Sequence, residues 1–249
     1  MTRASSAIFE AKRANPATPE PVVRCQRLSK SIDDRSVLRE IDLQVGAGSY
    51  LALLGANGAG KSTLLKIVAT LIPATSGEIE LFGNPLSHNS ASVRARIGFI
   101  AHQSMLYRDL STRENLEFYA GLYSLKNARA RVRRMLEMVG LSGRANDPVK
   151  TFSRGMVQRA AIARALLHDP DLILADEPFS GLDAPSIESL ERFFSELHVA
   201  GKTIILVNHD IDQSLRLAER AIVLRGGRIA VDSPTYRLYP REVLSEVSA

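Results

Sequence analysis

The chain has 249 residues, 45% of them hydrophobic, which is enough for one sizeable core with room for an inserted subdomain. Its single cysteine, Cys25, excludes an intramolecular disulfide and offers no metal-ligand spacing, which suits a reducing compartment. The net charge of +5 permits contact with anionic lipid or nucleic acid but is read as a solvated surface, and no apolar run approaches the ~18 residues needed to cross a bilayer.

Residues 1 to about 21 are rich in Ala, Ser, Pro and charge, with Pro16, Pro19 and Pro21 breaking any periodicity. They are expected to form a disordered extension, without the apolar centre of a secretory signal. From Val22 onward, short β-rich runs appear at Val22–Leu28, Ile41–Val45 and Tyr50–Leu54. Alternating strands and helices follow, which predicts an α/β domain around a mainly parallel sheet.

The third run leads into Gly55-Ala56-Asn57-Gly58-Ala59-Gly60-Lys61-Ser62, spaced as a phosphate-binding loop, and a helix-like run over Lys61–Thr70 leads out. Glycines let the backbone curl so that successive N–H groups face one phosphate, and the helix start adds partial positive charge. Lys61 is expected at the β- and γ-phosphates and the Ser62 hydroxyl on Mg²⁺, with Thr63 completing the binding set. The loop alone specifies only a nucleoside triphosphate.

Residues about 112 to 150 read as a helical insertion with Leu116, Tyr119 and Tyr123 along one face. Within it, Arg129, Arg133 and Arg134 alternate at helical spacing with Val132, Met135, Leu136 and Val139, the pattern of an ordinary amphipathic helix. Phe152-Ser153-Arg154-Gly155-Met156-Val157-Gln158-Arg159 then runs into an Ala-rich helix ending near Leu167. Leu172-Ile173-Leu174-Ala175-Asp176-Glu177 is an apolar strand ending in two carboxylates. Asp176 is placed to hold Mg²⁺, and Glu177 is the candidate for polarising an attacking water. Ser180-Gly181-Leu182-Asp183 follows, and a strand at Thr203–Val207 ends in Asn208-His209. Gly226-Gly227 joins two β runs in a hairpin signal, and residues 241–249 read as a tail. There is no internal repeat, so one nucleotide-binding unit is expected, over residues 22–240.

Five ordered motifs together resemble the ATP-binding subunits of ABC transporters. Ser153, Gly155, Gln158 and Arg159 match the family signature LSGGQ and the QRxAxARAL helix after it; Asp183 resembles the D-loop aspartate and His209 the switch histidine. The resemblance covers the chain from Val22 to the C-terminal hairpin. It implies a phosphate-loop ATPase core with an N-terminal antiparallel β-subdomain and a helical subdomain inserted at about 104–165. It also implies ATP and Mg²⁺ as cofactors, Glu177 and His209 as catalytic, and a head-to-tail pair of nucleotide domains. In that pair Ser153, Arg154, Gly155 and Met156 of one domain meet the ATP of the other. The implied setting is cytoplasmic, peripheral on the inner membrane face through a polytopic membrane subunit, with no nucleic-acid partner.

Three positions depart from the family pattern. Ile32 stands where an aromatic residue usually stacks on adenine, leaving aliphatic contact without a π-stack. Arg154 and Met156 replace the common Gly and Gln, and Arg154 could face the shared phosphate or solvent. Counting back from Glu114-Asn115 puts His102 at the usual glutamine position with Gln103 beside it; Gln103 is preferred, because its amide can approach Mg²⁺ and water without titrating.

The short helical segment between glutamine loop and signature is like that of transporter subunits, which predicts an exporter motor. Phe152–Met156 and Glu114–Ala120 are most similar to the haem-exporter ATPases of cytochrome c biogenesis, and nearly as similar to multidrug or lipid exporters. The alternative class is a soluble ABC ATPase. DNA-repair members would insert a coiled coil or zinc-binding cysteines and ribosome-acting members carry two nucleotide domains, which leaves an iron–sulfur assembly factor as the competing reading.

Overall fold

The computed structural model describes residues 21–86, 91–101 and 103–248. The expected N-terminal extension lies outside them except for Pro21, which opens a strand, and His102 lies outside them too. Strands β1 (Pro21–Ile32), β2 (Arg35–Gly46), β4 (Ser76–Leu81) and β5 (Asn84–Pro85) form an antiparallel sheet in the order β2-β1-β4-β5. A second sheet takes β3 (Tyr50–Gly55), β6 (Ile97–Ile100), β7 (Leu172–Asp176), β8 (Thr203–Val207), β9 (Arg220–Arg225) and β10 (Arg228–Pro234) in the order β10-β9-β3-β8-β7-β6. All its neighbours run parallel except the β9–β10 hairpin.

Strand alternation divides the core in two. Tyr50, Ala52 and Leu54 of β3, Ile173 and Ala175 of β7, and Ile204 and Leu206 of β8 face one apolar cluster. The intervening Leu51, Leu53, Leu172, Leu174, Ile205 and Val207 face the other. A sheet covered on both faces needs unbroken apolar runs, which is why these strands read as continuous hydrophobic stretches. On one side lie α3 (Thr112–Leu122), α4 (Ala128–Met138), α5 (Arg154–Leu166) and α6 (Ala184–Val199). On the other lie α1 (Lys61–Val68), the short α2 (Ala91–Arg94) and the antiparallel sheet. Arg220 ties the two sheets: it grips Asp232 of β10 with two nitrogens and donates through Nη1 to the Gln44 carbonyl of β2 at 2.7 Å.

β1 and β2 run further than their apolar segments. They continue to Ile32 and start at Arg35, joined by Asp33 (φ 47°) and Asp34 (φ 60°) in a tight two-residue turn of the left-handed kind that suits Asp. This end of the hairpin is exposed, so backbone pairing continues where no hydrophobic pattern marks it. The expected C-terminal tail is instead a helix, α8 (Pro240–Ser248), because Val243 has an apolar groove to fill and is buried there. Cys25 is buried on β1 in the other apolar cluster, and its thiol is pushed up to about 12 by desolvation, with the Asp42 charge adding to the shift.

The helical segment is organised by local chemistry. Ser111 and Glu114 form a reciprocal capping box at the start of α3. Leu116 is buried, and on α4 Val132, Met135 and Leu136 are buried while Arg129, Arg133 and Arg134 are exposed. β6 is the outer strand of the parallel sheet, and its outward carbonyls are covered from α5 and the turn after it. Arg164 donates to the Phe99 carbonyl at 2.5 Å, and His168 Nε2 lies 3.0 Å from that of Ile97. Tyr123 stacks flat on the His168 ring, with centroids 4.0 Å apart.

Burial pushes the His168 pKa down to about 4, against a smaller opposite effect of the bond to Ile97. The unfolded chain, with an ordinary imidazole, therefore takes up this proton first as pH falls below about 6.5, and stability drops until about pH 4. The contribution lost between about pH 7.5 and 5 is of the order of 2 kcal/mol. Urea unfolding at both pH values checks it: His168→Gln, which keeps a donor for Ile97 but does not titrate, should lose about that much less on acidification than the parent.

Candidate nucleotide-binding site

The phosphate-loop sequence occupies the turn between β3 and α1. Gly60 is the N-cap of α1 at φ 104°, and a Cβ there would come within 2.6 Å of the Leu38 side chain and 2.9 Å of the Val37 carbonyl. Glycine is thus required twice, by the left-handed backbone and by the β2 strand against it. The cap has no side-chain acceptor and the first turn of α1 no acidic residue, so its amides remain available to an anion.

Lys61 is almost fully buried, and its Nζ donates to the Gly55 and Ala56 carbonyls at 2.7 and 2.9 Å. The ammonium is held inside the curl of its own loop. Burial lowers its pKa, while the nearby Glu177 and Asp176 charges work in the opposite direction. These groups share one locus because of strand register. Leu53 pairs with Val207 and Asp176 pairs with Val207, so the ends of β3, β8 and β7 lie level. In open parallel sheets such carboxyl ends, beside a change of strand direction, are where ligands bind.

At this level the Ser62 hydroxyl donates to Asp176 Oδ1 at 3.0 Å, and His209 Nε2 lies 2.6 Å from Glu177 Oε1. With Glu177 ionised, the proton between them sits on Nε2. Glu177 adopts φ 53°, and its amide donates to the Val207 carbonyl, which turns the chain out of β7 directly after Asp176. Ser62 and Asp176 offer hard oxygen donors at hydrogen-bond distance from each other, a set that fits Mg²⁺. Among the described residues no group of three or more His, Cys, Asp or Glu side chains could hold a metal. A cation here would therefore complete its shell with phosphate oxygens and water, as Mg²⁺ characteristically does.

His209 is held by residues that the sequence reading passed over. Asn208 accepts from the His209 amide at 2.9 Å and donates to Gln213 Oε1 at 2.7 Å; Gln213 in turn donates to Glu191 of α6 at 2.7 Å. Asp210 caps α7 (Ile211–Leu217) by accepting from the Gln213 amide. The Asp-x-x-Gln spacing was the available signal, since it resembles a helix-start pattern.

The remaining candidates lie in other places. Ser153 is the N-cap of α5, its hydroxyl accepting from the Met156 amide, and Asp183 caps α6 by accepting from Ser186. The Ser186 side chain, and then its amide, hold the Asp183 carboxyl below the usual carboxylate range by hydrogen bonding. These two helix starts are neighbours: Gly155 faces Leu182 and Ser186, and the Arg154 side chain lies along Gly181. Arg154 therefore runs over the turn before α6. Ile32 sits, exposed, at the end of the β1–β2 hairpin whose Val37–Leu38 segment abuts Gly60. Gln103 is exposed on the loop after β6, and the pairing of Ile100 with Ala175 makes that loop leave the sheet beside Asp176.

Comparison with known proteins bears on this arrangement. Residues 38–180 match the family model described as ABC transporter. The Nod factor export ATP-binding protein I of Cupriavidus pinatubonensis (strain JMP 134 / LMG 1197) is 33% identical over 228 residues, covering 91% of this chain and 70% of that protein. The sulfate/thiosulfate import ATP-binding protein CysA of Methylococcus capsulatus (strain ATCC 33009 / NCIMB 11132 / Bath) is 38% identical over 216 residues, covering 83% of this chain and 61% of that protein. A dimeric ATP-binding cassette solved in a post-hydrolysis state with ADP and Pi superposes with a TM-score of 0.79 at 29% identity, covering 86% of this chain and 98% of that one. With the phosphate loop, the level carboxylates and the two-sheet architecture in place, the chain belongs to the ABC transporter family as an ATP-binding, ATP-hydrolysing subunit.

Proposed function

We propose that this chain is the motor of an exporter: it binds ATP with Mg²⁺ between two nucleotide domains and drives a separate polytopic membrane subunit. Residues 22–240 act as the nucleotide-binding unit. The observation that carries the catalytic part is the level placement of Lys61, Ser62, Asp176, Glu177 and His209 at the ends of three adjacent strands.

In this reading the amides of Gly58 to Thr63 and the Lys61 ammonium hold the β- and γ-phosphates, with Gly55 and Ala56 shaping the curl. Ser62, Asp176 and the Gln103 side-chain amide would hold Mg²⁺, which would supply positive charge to offset that of the phosphates. Glu177 takes a proton from the attacking water as its oxygen bonds to the γ-phosphorus and the bond to the bridging oxygen breaks, leaving ADP and phosphate. His209, positioned by Asn208, orients Glu177 and faces the departing phosphate. Ser153, Arg154, Gly155 and Met156, with Asp183 beside them, present the start of α5 to the ATP of a second copy, so one nucleotide joins two domains.

The membrane subunit is assigned to an exposed apolar patch. Met105, Tyr107, Phe118 and Leu122 are each 41–64% exposed, and Tyr107 meets Phe118 edge-on at 5.2 Å. No helix among the described residues is long and apolar enough to cross a membrane, so a transport role needs such a partner. The patch continues from the Gln103 loop, so a partner docked there would sit next to the proposed ATP site.

Export is favoured by the Nod factor relative, which covers most of this chain. Import is the second reading, favoured by the 38% identity to the sulfate/thiosulfate protein. Haem as cargo rests on the resemblance of Phe152–Met156 and Glu114–Ala120 alone.

A pull-down of the tagged chain from its native membranes, read by mass spectrometry, tests the assignment. A polytopic membrane subunit should co-purify, and cytochrome c maturation proteins beside it would favour haem; recovery of soluble partners only would overturn the exporter reading. Glu177→Gln should retain ATP binding, lower turnover by about 10²–10⁴-fold and trap an ATP-bound dimer on gel filtration. Undiminished hydrolysis would remove Glu177 from its role. Ile32→Tyr should tighten ATP by roughly three- to tenfold through a stacking contact, and GTP by less; an unchanged ratio of the two affinities would show that the hairpin end does not touch the base.

A further inference from the structure

The positive charge of the chain is gathered on one element. Lys126, Arg129, Arg131, Arg133 and Arg134 lie on α4 and the turn before it, and no acidic residue occurs between Glu117 and Glu137. These five charges equal the formal excess of the whole molecule, +5, so the rest of it is balanced. All five residues are exposed. Elsewhere exposed cations find acids: Arg96, Lys150, Arg225 and Arg228 each meet one at 2.7–3.0 Å. On α4 none does. Among the described residues no ion pair includes any of the five, and the one acceptor their side chains reach is the Leu167 carbonyl, 3.4 Å from Arg131.

This arrangement works against the helix that carries it. Arg129 and Arg133 are four residues apart and Arg131 and Arg134 three apart, spacings that set like charges side by side on a helix surface. The first turn has neither an acidic residue nor a side-chain cap to offset them. A merely solvated face mixes the two signs, as α6 does where Arg192 meets Glu188 at 3.7 Å. Burial of Val132, Met135 and Leu136 keeps α4 formed all the same, and turns the arginines outward. The neighbouring surface points to the anion. Leu122, which ends α3, belongs to the exposed apolar patch assigned above to a membrane subunit, and the cations begin four residues later. No helix among the described residues can cross a bilayer, so any contact of this chain with lipid is peripheral, the setting in which basic clusters bind anionic headgroups.

We infer that the face formed by Lys126, Arg129, Arg131, Arg133 and Arg134 is a contact surface for an anionic phospholipid bilayer. Its attraction acts over about a Debye length and needs no particular headgroup, so it holds the helical segment at the membrane surface beside the docked subunit. The inference draws on the proposed membrane subunit only in choosing a bilayer over a nucleic acid.

The test sediments the full chain, with no membrane subunit present, on vesicles of phosphatidylcholine alone or mixed with an equal share of phosphatidylglycerol. The chain should bind the mixed vesicles and not the neutral ones, and should be released as salt is raised. Combining Arg129→Gln, Arg133→Gln and Arg134→Gln should weaken binding on the order of a hundredfold, or about fivefold for each charge. ATP hydrolysis in solution should stay within about twofold of the parent, because α4 lies outside the nucleotide site. Combining Arg192→Gln, Arg237→Gln and Arg241→Gln removes the same charge from other exposed positions, and should cost less than about fivefold. Equal losses in the two triple variants would reveal a general charge effect and overturn the inference. So would equal binding to neutral vesicles, or no binding to the mixed ones. Tighter binding to duplex DNA than to the mixed vesicles, lost in the first triple variant, would overturn it in favour of a nucleic-acid surface. Binding to mixed vesicles by a chain that recovers no membrane subunit from native membranes would uphold this inference and remove the proposed partner alone.

Discussion

Burial of the parallel sheet on both faces is the constraint from which the site follows. With apolar clusters above and below, the middles of β3, β7 and β8 carry aliphatic side chains, and Gly55, Asp176 and Asn208 come where the strands emerge. Parallel pairing makes these ends point one way, and the register brings them level. Gly55, Asp176 and Asn208 therefore arrive at one edge although more than a hundred residues separate the first from the others. The chemistry needs no dedicated loop to collect it, because strand pairing has already done so.

Around that edge, hydrogen bonds order the working side chains from behind. Asp176 fixes the Ser62 hydroxyl, and Asn208, itself tied to Gln213 and Glu191, fixes the turn that carries His209. Lys61 is held by carbonyls of its own loop, so its ammonium is aimed before any phosphate arrives. Such preorganisation lowers the reorganisation needed when charge develops on a transferring phosphoryl group. Serine and aspartate at the starts of α5 and α6 do a related job: each satisfies a helix amide while keeping the neighbouring segments packed, Arg154 along Gly181 and Gly155 against Leu182.

The helical segment is fastened to the sheet at its outer strand. A parallel sheet leaves the carbonyls of its last strand unpaired, and here Arg164 and the His168 ring cover two of them from the far side of the core. Both side chains also meet aromatic rings of α3 or its end, Tyr119 and Tyr123. Covering the edge and joining the insertion to the outer strand of the sheet are thus one structural solution. The insertion presents its apolar side inward through Leu116, Val132 and Leu136, and still leaves Phe118 and Leu122 exposed.

The sequence by itself determined the features that local chemistry fixes. The apolar runs of buried strands, the glycine-lysine loop between strand and helix, the strand ending in Asp176-Glu177 and the Gly226-Gly227 hairpin are each short-range patterns, and all were legible without coordinates. Tertiary structure alone decided what depends on partners distant in the chain. The β1–β2 hairpin runs on to Ile32 because backbone pairing, which leaves no mark in hydrophobicity, continues past the apolar residues. Pro240–Ser248 form a helix and not a tail because Val243 finds a groove built by other elements. Arg154 lies along Gly181, a direction its neighbours in sequence leave open. Asn208, Arg164 and Tyr119 make hydrogen bonds whose acceptors or second partners belong to other elements, and no local pattern encodes a partner that only folding brings near.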